Sequence, residues 1–233
     1  MINLCEPLLK LLKPTSILTL GNGLGREAYF LSKISDASIL ASDIGVDRLS
    51  EAKKYGYLTN FVESDIEKLL FSDSQFEISF VKESLHHLPR PLIGFYEMLR
   101  VASKGAIIIE PNDAQHLLTN YPGLENYYND FESTRNYLYR LSLREIIKCA
   151  TSLHLKYVIA KGFNDPWTPD FNYDNWKIER ESLDYMGRMG TRQFDLMVIF
   201  IITDPNFEIE KNDRRNLERE NFKIFDLPQL SIY

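Results

Sequence analysis

The chain has 233 residues, of which 44% are hydrophobic and 26% are charged, a composition typical of a globular protein with a sizeable core. Its formal net charge of −6 argues against nucleic acid as the main partner, because a phosphate-binding surface needs an excess of basic residues. The longest apolar runs, such as "LMVIFII", are far below the roughly 20 residues of a membrane span, so we expect none. The sequence has only two cysteines, Cys5 and Cys149, so neither a disulfide framework nor a metal site is expected, and we expect a reduced, cytoplasmic setting.

Strand-like and helix-like runs alternate through most of the chain. A short amphipathic helix, "EPLLKLLK", comes first and ends at Pro14. The next predicted strands are 16–20, 38–43, 58–64, 76–81 and 105–111, and the predicted helices between them are 26–34, 47–56 and 91–103. Helical periodicity returns over about 124–152, and apolar runs at 155–160 and 194–202 predict two late strands. Helices that alternate with nearly continuous apolar strands predict an α/β fold with a doubly wound, mostly parallel sheet.

Two segments break this alternation. Residues 162–192 are rich in Trp, Tyr, Asn, Asp and Pro, which predicts a long loop or a lid. Residues 204–233 are charged, and we expect a C-terminal tail that either docks on the domain or serves as an oligomer arm. The predicted domain therefore spans 1–203, and the oligomeric state stays open.

The stretch "ILTLGNGLGREAYF" places three glycines, Gly21, Gly23 and Gly25, between the first predicted strand and the helix that follows it. Glycine at such a turn lets the backbone approach a ligand closely or take a positive φ. A dinucleotide site needs G-x-G-x-x-G, and Arg26 stands where its last glycine would fall. The spacing therefore favours a smaller nucleoside ligand that has no pyrophosphate, although a simple turn is the alternative.

Acidic residues follow the second and third predicted strands. Asp43 lies 18 residues (43 − 25) after Gly25, which is close to the spacing of an acid that accepts hydrogen bonds from a ribose diol. Asp65 can accept from an exocyclic amine, and the neighbouring Ile66 can lie against a purine face. The alternatives are ordinary caps, with Asp43 at a helix start and Asp65 before a short helix in "IEKLL".

Together these segments resemble the class I S-adenosylmethionine-dependent methyltransferases, of the type 11-like group, over roughly residues 15–203. The resemblance implies a seven-stranded Rossmann-like sheet with an antiparallel last strand, S-adenosylmethionine as cofactor, and a small-molecule acceptor. The family usually carries an acid two residues before the first glycine. Here that position is Thr19, so a hydroxyl or a water would have to contact the methionine amine instead. The segments that carry the resemblance are "ILTLGNGLGR", "ILASDIG", "VESDIEKL", "FEISFVKESLHHLPRP" and "FYEMLRVASKGAIIIEPN".

The resemblance assigns the cofactor contacts to residues at the ends of the first four predicted strands. These are Gly21, Asn22, Gly23, Gly25, Asp43, Ile44, Asp65, Ile66, Lys82 and Glu83.

The implied chemistry is in-line transfer of a methyl group to a nucleophile, for which the protein mainly positions the reactants and excludes water. A hydroxyl acceptor would benefit from a general base, and His86 in "ESLHHLP" is the favoured candidate. The alternative is that His86 and His87 are both structural or solvated. Glu110 and Asn112, at the end of the fifth strand, are candidates for contact with the cofactor or the acceptor.

Tyrosines and arginines cluster in "FESTRNYLYRLSLREIIKCA": Tyr137, Tyr139, Arg140 and Arg144. Tyrosine rings can stack on sugar faces, and arginine can bind a sugar-linked phosphate with two hydrogen bonds. The segment resembles methyltransferases of bacterial polysaccharide and lipopolysaccharide biosynthesis, which implies a hydroxyl of a sugar or glycoconjugate precursor as acceptor. An amphipathic helix with a solvated charged face is the alternative.

Three other functions are consistent with parts of the sequence to different degrees. A non-catalytic binding or scaffold protein with the S-adenosylmethionine fold remains open because of Thr19. An NAD-dependent enzyme is disfavoured by Arg26 and by the lack of a Tyr-x-x-x-Lys pair. Methylation of nucleic acid is disfavoured by the acidic balance and by "KESLHH" where an Asn/Asp-Pro-Pro-aromatic motif would stand.

Overall fold

The computed structural model of the chain describes residues 1–112, 139–166, 172–189 and 194–229. Its centre is an eight-stranded sheet with the order β3-β2-β1-β4-β5-β7-β6-β8. The first five strands are parallel, β7 runs antiparallel to both β5 and β6, and β8 runs antiparallel to β6. The strands are β1 (Ser16–Leu20), β2 (Ser38–Asp43), β3 (Asn60–Glu63), β4 (Phe76–Lys82), β5 (Ala102–Pro111), β6 (Tyr157–Phe163), β7 (Leu196–Ile202) and β8 (Lys223–Asp226).

Helices cover both faces of the sheet. They are α1 (Glu6–Leu12), α2 (Arg26–Ile34), α3 (Asp47–Lys54), α4 (Pro91–Val101), α5 (Leu143–Ser152), α6 (Tyr173–Arg188) and α7 (Lys211–Arg219). Because side chains alternate along each strand, Leu18 and Ile108 pack with α4 and α5, whereas Ile17 and Ile107 pack with α1, α2 and α7. This arrangement confirms the predicted doubly wound α/β fold with a mostly parallel sheet.

The helix predicted over about 124–152 falls partly outside the described residues, which resume at Tyr139. Within them, α5 begins only at Leu143, and residues 139–142 are not helical. The start is fixed by a capping box. The Ser142 hydroxyl accepts from the Glu145 amide, and the Glu145 carboxylate accepts from the Ser142 amide at 2.9 Å.

The prediction of a long loop over 162–192 is wrong for residues 173–188, which form α6. The Asn172 side chain caps this helix by accepting hydrogen bonds from the amides of Asp174 and Asn175 at 3.0 and 3.1 Å. The composition is rich in turn-forming residues, but here Asn172 uses its turn chemistry to start a helix.

The segment 204–233, expected as a tail, docks on the domain over its described part. Leu217 of α7 and Phe222 are buried, and the Arg214 guanidinium contacts both carboxylate oxygens of Asp226, at 2.6 and 3.0 Å. Strand β8 pairs with β6, so the sheet has eight strands where seven were expected. Among the described residues, no helix is long and apolar enough to cross a membrane.

Candidate active site

The candidate site lies at one edge of the sheet, where the parallel strands β1 to β5 end. β1 pairs with β2 on one side and with β4 on the other, so the strand order reverses between β1 and β4. A ligand crevice is expected at such a reversal, outside the carboxyl ends of the strands. The loops after β1 to β5 therefore supply the side chains of the site.

The glycine loop after β1 needs each of its three glycines. Gly21, Gly23 and Gly25 have φ angles of +59°, +39° and +76°, a region that favours glycine. A Cβ atom on Gly21 would lie 2.5 Å from the Ser84 Oγ, and one on Gly25 would lie 2.8 Å from Leu58. A Cβ atom on Gly23 would have no neighbour within 4 Å. Gly21 and Gly25 therefore allow close packing, whereas the backbone at Gly23 faces open space that a ligand can enter.

Asp43 at the end of β2 anchors this loop. Its Oδ2 accepts a hydrogen bond from the Gly23 amide at 2.7 Å, and its Oδ1 accepts from the Gly45 amide at 2.9 Å. Each carboxylate oxygen has a second acceptor position, so the side chain can also accept from a diol. The next residue, Ile44, is 73% exposed and offers an apolar surface beside Asp43.

Thr19 and Asn22 form a buried polar pair beneath the glycine loop. The Asn22 Nδ2 donates to the Thr19 Oγ1 at 2.5 Å, and the Thr19 hydroxyl faces the Leu40 carbonyl at 3.5 Å. Within the described part of the chain, the buried Asn22 Oδ1 has no hydrogen-bond partner. Thr19 therefore supports the loop from below and supplies no charge.

The segment after β3 forms a turn. The Asp65 Oδ1 accepts from the Glu67 amide at 2.9 Å, and the backbones of Asp65 and Lys68 form an isolated antiparallel β-bridge. The short helix considered for "IEKLL" is therefore absent here. Asp65 is exposed, whereas Ile66 is 6% exposed and packs beneath Gly21. Ser64 has a buried hydroxyl with no partner among the described residues.

The turn after β4 contacts the glycine loop directly. The Ser84 hydroxyl donates to the Gly21 carbonyl at 2.9 Å. Lys82 forms an ion pair with the carboxylate of Glu83, whose φ of +48° is unusual for a residue that is not glycine. The turn therefore brings Lys82 and Glu83 to the side of the loop.

Glu110 at the end of β5 organises this same turn. It is fully buried, its Oε1 accepts from the amides of Ser84 and Leu85, both at 2.9 Å, and its Oε2 contacts the Nδ1 of His86. When Nδ1 donates its proton to this carboxylate, the other ring nitrogen, Nε2, carries the lone pair. His86 is 4% exposed, so its ring is shielded from bulk water. A buried imidazole oriented by a carboxylate is an arrangement suited to a general base.

The residues expected to bind the acceptor do not all lie together. The Tyr139 amide donates to the His86 carbonyl at 2.7 Å, whereas Arg140 and Arg144 are exposed and Tyr137 lies outside the described residues. Asn112 donates from its side-chain amide to the Phe194 carbonyl at 3.1 Å, so it joins the end of β5 to the start of β7.

Glu27 is a further charged residue near the glycine loop that the sequence motifs did not predict. This residue lies in the first turn of α2, is half-buried, and has a pKa that burial raises above the usual 4.5. The positive charges of Lys82 and Arg26 lower this pKa, and the negative charge of Glu83 raises it. The signal available in the sequence was an acid two residues after the last glycine of the loop, which is also a common residue type at a helix start.

The chain resembles known methyltransferases in sequence over part of its length. Residues 18–109 match a family described as "Methyltransferase domain". Among curated proteins, methyltransferase phqN of Penicillium fellutanum is 29% identical over 96 residues, which cover 39% of this chain and 29% of phqN. The chain thus matches less than a third of the length of that relative.

Solved structures with similar folds cover most of the chain. The YcgJ protein of Bacillus subtilis superposes with a TM-score of 0.60 and 17% identity, covering 88% of this chain and 98% of its own. The phosphoethanolamine N-methyltransferase 2 of Haemonchus contortus, in complex with phosphomonomethylethanolamine and S-adenosylhomocysteine, gives a TM-score of 0.58 and 14% identity, covering 88% and 52%. At these identities the likeness establishes a shared fold.

Proposed function

We propose that this chain is a class I S-adenosylmethionine-dependent methyltransferase that methylates a small molecule, with a hydroxyl of a sugar or glycoconjugate precursor as the acceptor. The match of residues 18–109 to a family described as "Methyltransferase domain" supports this proposal. The observation that carries the choice of a hydroxyl is the buried pair of His86 and Glu110 beside the glycine loop. Hydroxyl groups need a base to take up their proton during methyl transfer, and an oriented imidazole supplies one.

The residues present fit S-adenosylmethionine, the cofactor of this fold family. The backbone at Gly23 leaves space for a ligand, Asp43 has acceptor positions to spare for a ribose diol, and Ile44 exposes an apolar surface suited to a purine. Asn22 and Ser64 have buried oxygens without partners among the described residues, which a bound ligand or water can satisfy. When bound, the cofactor supplies a methyl group on a sulfonium sulfur.

The chain's own contribution is positioning, exclusion of water and proton uptake. The Nε2 of His86 takes the proton of the acceptor hydroxyl, and the Glu110 carboxylate stabilises the imidazolium that forms. Because both side chains are almost completely buried, their interaction is not weakened by bulk water. Glu110 also accepts hydrogen bonds from the amides of Ser84 and Leu85, which fixes the turn that carries His86.

The acceptor proposal rests on the surroundings of His86. Tyr139 contacts the His86 backbone, and the exposed Arg140 and Arg144 lie close to it in the sequence. A tyrosine ring can stack on a sugar face, and arginine side chains can bind a phosphate that the sugar carries. The complex of the Haemonchus enzyme with phosphomonomethylethanolamine is consistent with a phosphate-bearing small molecule in this fold. A role in polysaccharide biosynthesis follows if the acceptor is a nucleotide-linked sugar.

The test is methyl transfer from S-adenosylmethionine to a panel of nucleotide-linked sugars and sugar phosphates. His86→Ala is expected to lower kcat by about 10²-fold or more, with little change in the affinity for S-adenosylhomocysteine, because the base acts on the acceptor. His87→Ala, one residue away and exposed, is the matched control. Unchanged turnover in His86→Ala would remove it as the base. Methylation of phosphorylated amines but no sugar would overturn the choice of acceptor.

A further inference from the structure

A cavity of about 530 Å³ lies at the outer edge of β6. Strand β8 covers this edge only as far as Ala160, which pairs with Lys223, whereas β6 continues to Phe163. The C-terminal half of α6 and the turn between α7 and β8 form the walls of the cavity. Cavities of about 300–1,000 Å³ are typical of small-molecule sites. Among the described residues, the lining includes none from the glycine loop or from the turn that carries His86.

Three cationic side chains from different elements line the cavity. They belong to Lys161 of β6, Arg188 of α6 and Lys223 of β8. Over the described residues, none of these three side chains forms an ion pair or a hydrogen bond. Lys161 is half-buried, and its ammonium lies 5.2 Å from the centre of the Phe222 ring. A ring face neutralises no charge, so the cavity presents cations with which a ligand can pair.

The acids beside the cavity do not neutralise these cations. Asp184 is already engaged, since its Oδ1 accepts hydrogen bonds from the backbone amide and the side-chain Nδ2 of Asn164 at 2.7 and 2.9 Å. Its Oδ2 lies 3.8 Å from the Nε of Arg180, which brings a fourth cation. Glu218 lines the cavity and Glu220 lies near it, and both are exposed to solvent. Four cations thus meet three carboxylates, in a chain whose net charge is −6.

The amine of Lys161 is affected by this environment. Burial lowers its pKa below the usual 10.5, and the opposite effect of Glu220 and Asp184 does not cancel the effect of burial. An anion bound beside the ammonium would offset the cost of withdrawing it from water.

The remaining lining is largely apolar. Phe194, Phe222 and Met197 contribute most of this surface. A Cβ atom on Gly187 would lie 2.6 Å from the Phe194 ring, so the glycine lets α6 pack closely against that ring. The cavity therefore combines several cations with an apolar surface that suits an aromatic or aliphatic group.

We propose that this cavity binds a phosphorylated small molecule that also carries an aromatic or apolar group. A phosphate monoester has about two negative charges near pH 7 and three acceptor oxygens, so it suits a site with three unpaired cations better than a carboxylate does. Lys161, Arg188 and Lys223 surround the phosphate, and Phe194 and Phe222 contact the apolar group. This binding does not depend on methyl transfer.

Calorimetric titration with phenyl phosphate tests the proposal. Lys161→Met removes the charge but keeps an apolar chain over Phe222, and it is expected to weaken binding about tenfold or more. Lys177→Met, which changes an exposed lysine of α6, is the matched control and should leave the affinity unchanged. Phenol lacks the phosphate and inorganic phosphate lacks the ring, so each is expected to bind more weakly than phenyl phosphate.

A second measurement needs no substitution. Acetic anhydride modifies accessible amines, and mass spectrometry of the native protein reports the fraction modified at each lysine. Phenyl phosphate should protect Lys161 and leave Lys177 unprotected. Absence of protection at Lys161, unchanged affinity in Lys161→Met, or phenol binding as tight as that of phenyl phosphate would each overturn the proposal. Failure of the unmodified protein to bind phenyl phosphate would overturn it as well, and would leave the proposed function untouched.

Discussion

Asp43 illustrates how one side chain can anchor a loop and keep acceptor positions open for a ligand. Its spacing to Gly25 predicts an acceptor for a ribose diol. In the structure its two carboxylate oxygens also accept hydrogen bonds from the amides of Gly23 and Gly45. Hydrogen bonds to a charged group are worth about 1.5–3 kcal/mol when they are shielded from water, and less when the groups are exposed. The loop therefore depends on Asp43 even without a ligand.

We predict that Asp43→Ala lowers the affinity for S-adenosylhomocysteine at least tenfold and lowers the free energy of unfolding of the free protein by about 1–2 kcal/mol. Calorimetric titration and urea denaturation measure the two effects, and Asp36→Ala, an exposed acid after α2, is the control. A variant that loses affinity while its stability stays the same would show that Asp43 contacts the ligand but does not anchor the loop.

The residues of the site were predictable only where a motif fixed them. The glycines and Asp43 follow from spacing along the chain, because the loop and the ends of two adjacent strands form one local unit. Glu27 and the partner of His86 were not predictable in this way, because they depend on which faces of α2, β4 and β5 meet. Glu110 was a candidate contact of the cofactor or acceptor, and its contact with the His86 ring joins residues 24 positions apart. The binding and catalytic roles of these residues remain predictions.

Elements with a repeated apolar pattern were predictable, and those defined by one polar contact were not. Strand β2 and helix α2 have the predicted bounds, because their patterns are regular and their ends carry clear signals. Helix α6 was missed because a single cap, Asn172, decides between helix and loop there. Strand β8 was missed because its four residues pair with β6, some 66 positions earlier, and this contact has no local signature.

Helix α7 packs against the rest of the domain, and substitutions in it can test this packing. Leu217 is 3% exposed, whereas the ion pair of Arg214 and Asp226 is partly exposed, with side chains 32% and 60% accessible. We expect burial of the Leu217 side chain to stabilise the fold more than the partly exposed ion pair does. Leu217→Ala should therefore lower the free energy of unfolding by about 2–5 kcal/mol, and Arg214→Ala by about 1 kcal/mol or less. Urea denaturation monitored by circular dichroism measures both. A Leu217→Ala variant as stable as the parent would mean that α7 is not docked in solution.

At the scale of the whole molecule, the carboxylates affect stability with opposite signs. The hydrogen bond from Arg100 holds the pKa of Glu97 below its usual 4.5, and the hydrogen bond from Arg214 holds the pKa of Asp226 below its usual 3.8. A lowered pKa in the folded state contributes stability above the usual pKa, and this contribution is lost as the pH falls through the folded value. Burial instead raises the pKa of Glu27, so its ionisation above pH 4.5 disfavours the folded state.

Two substitutions that each remove one negative charge should therefore shift stability in opposite directions. We predict that Glu97→Gln lowers the free energy of unfolding at pH 7 by about 1–2 kcal/mol, because it loses the charged hydrogen bonds with Arg100. Glu27→Gln should raise the stability of the free protein at pH 7, because burial disfavours the charged form of this carboxylate and the substitution removes the charge. Both differences should shrink as the pH falls from 7 toward 3, because protonation of each acid progressively removes the charge on which its effect depends. Urea denaturation of the parent and both variants at pH 3, 5 and 7 measures this. A Glu27→Gln variant that is less stable at pH 7 would show that the Glu27 carboxylate already has a stabilising partner in the free protein.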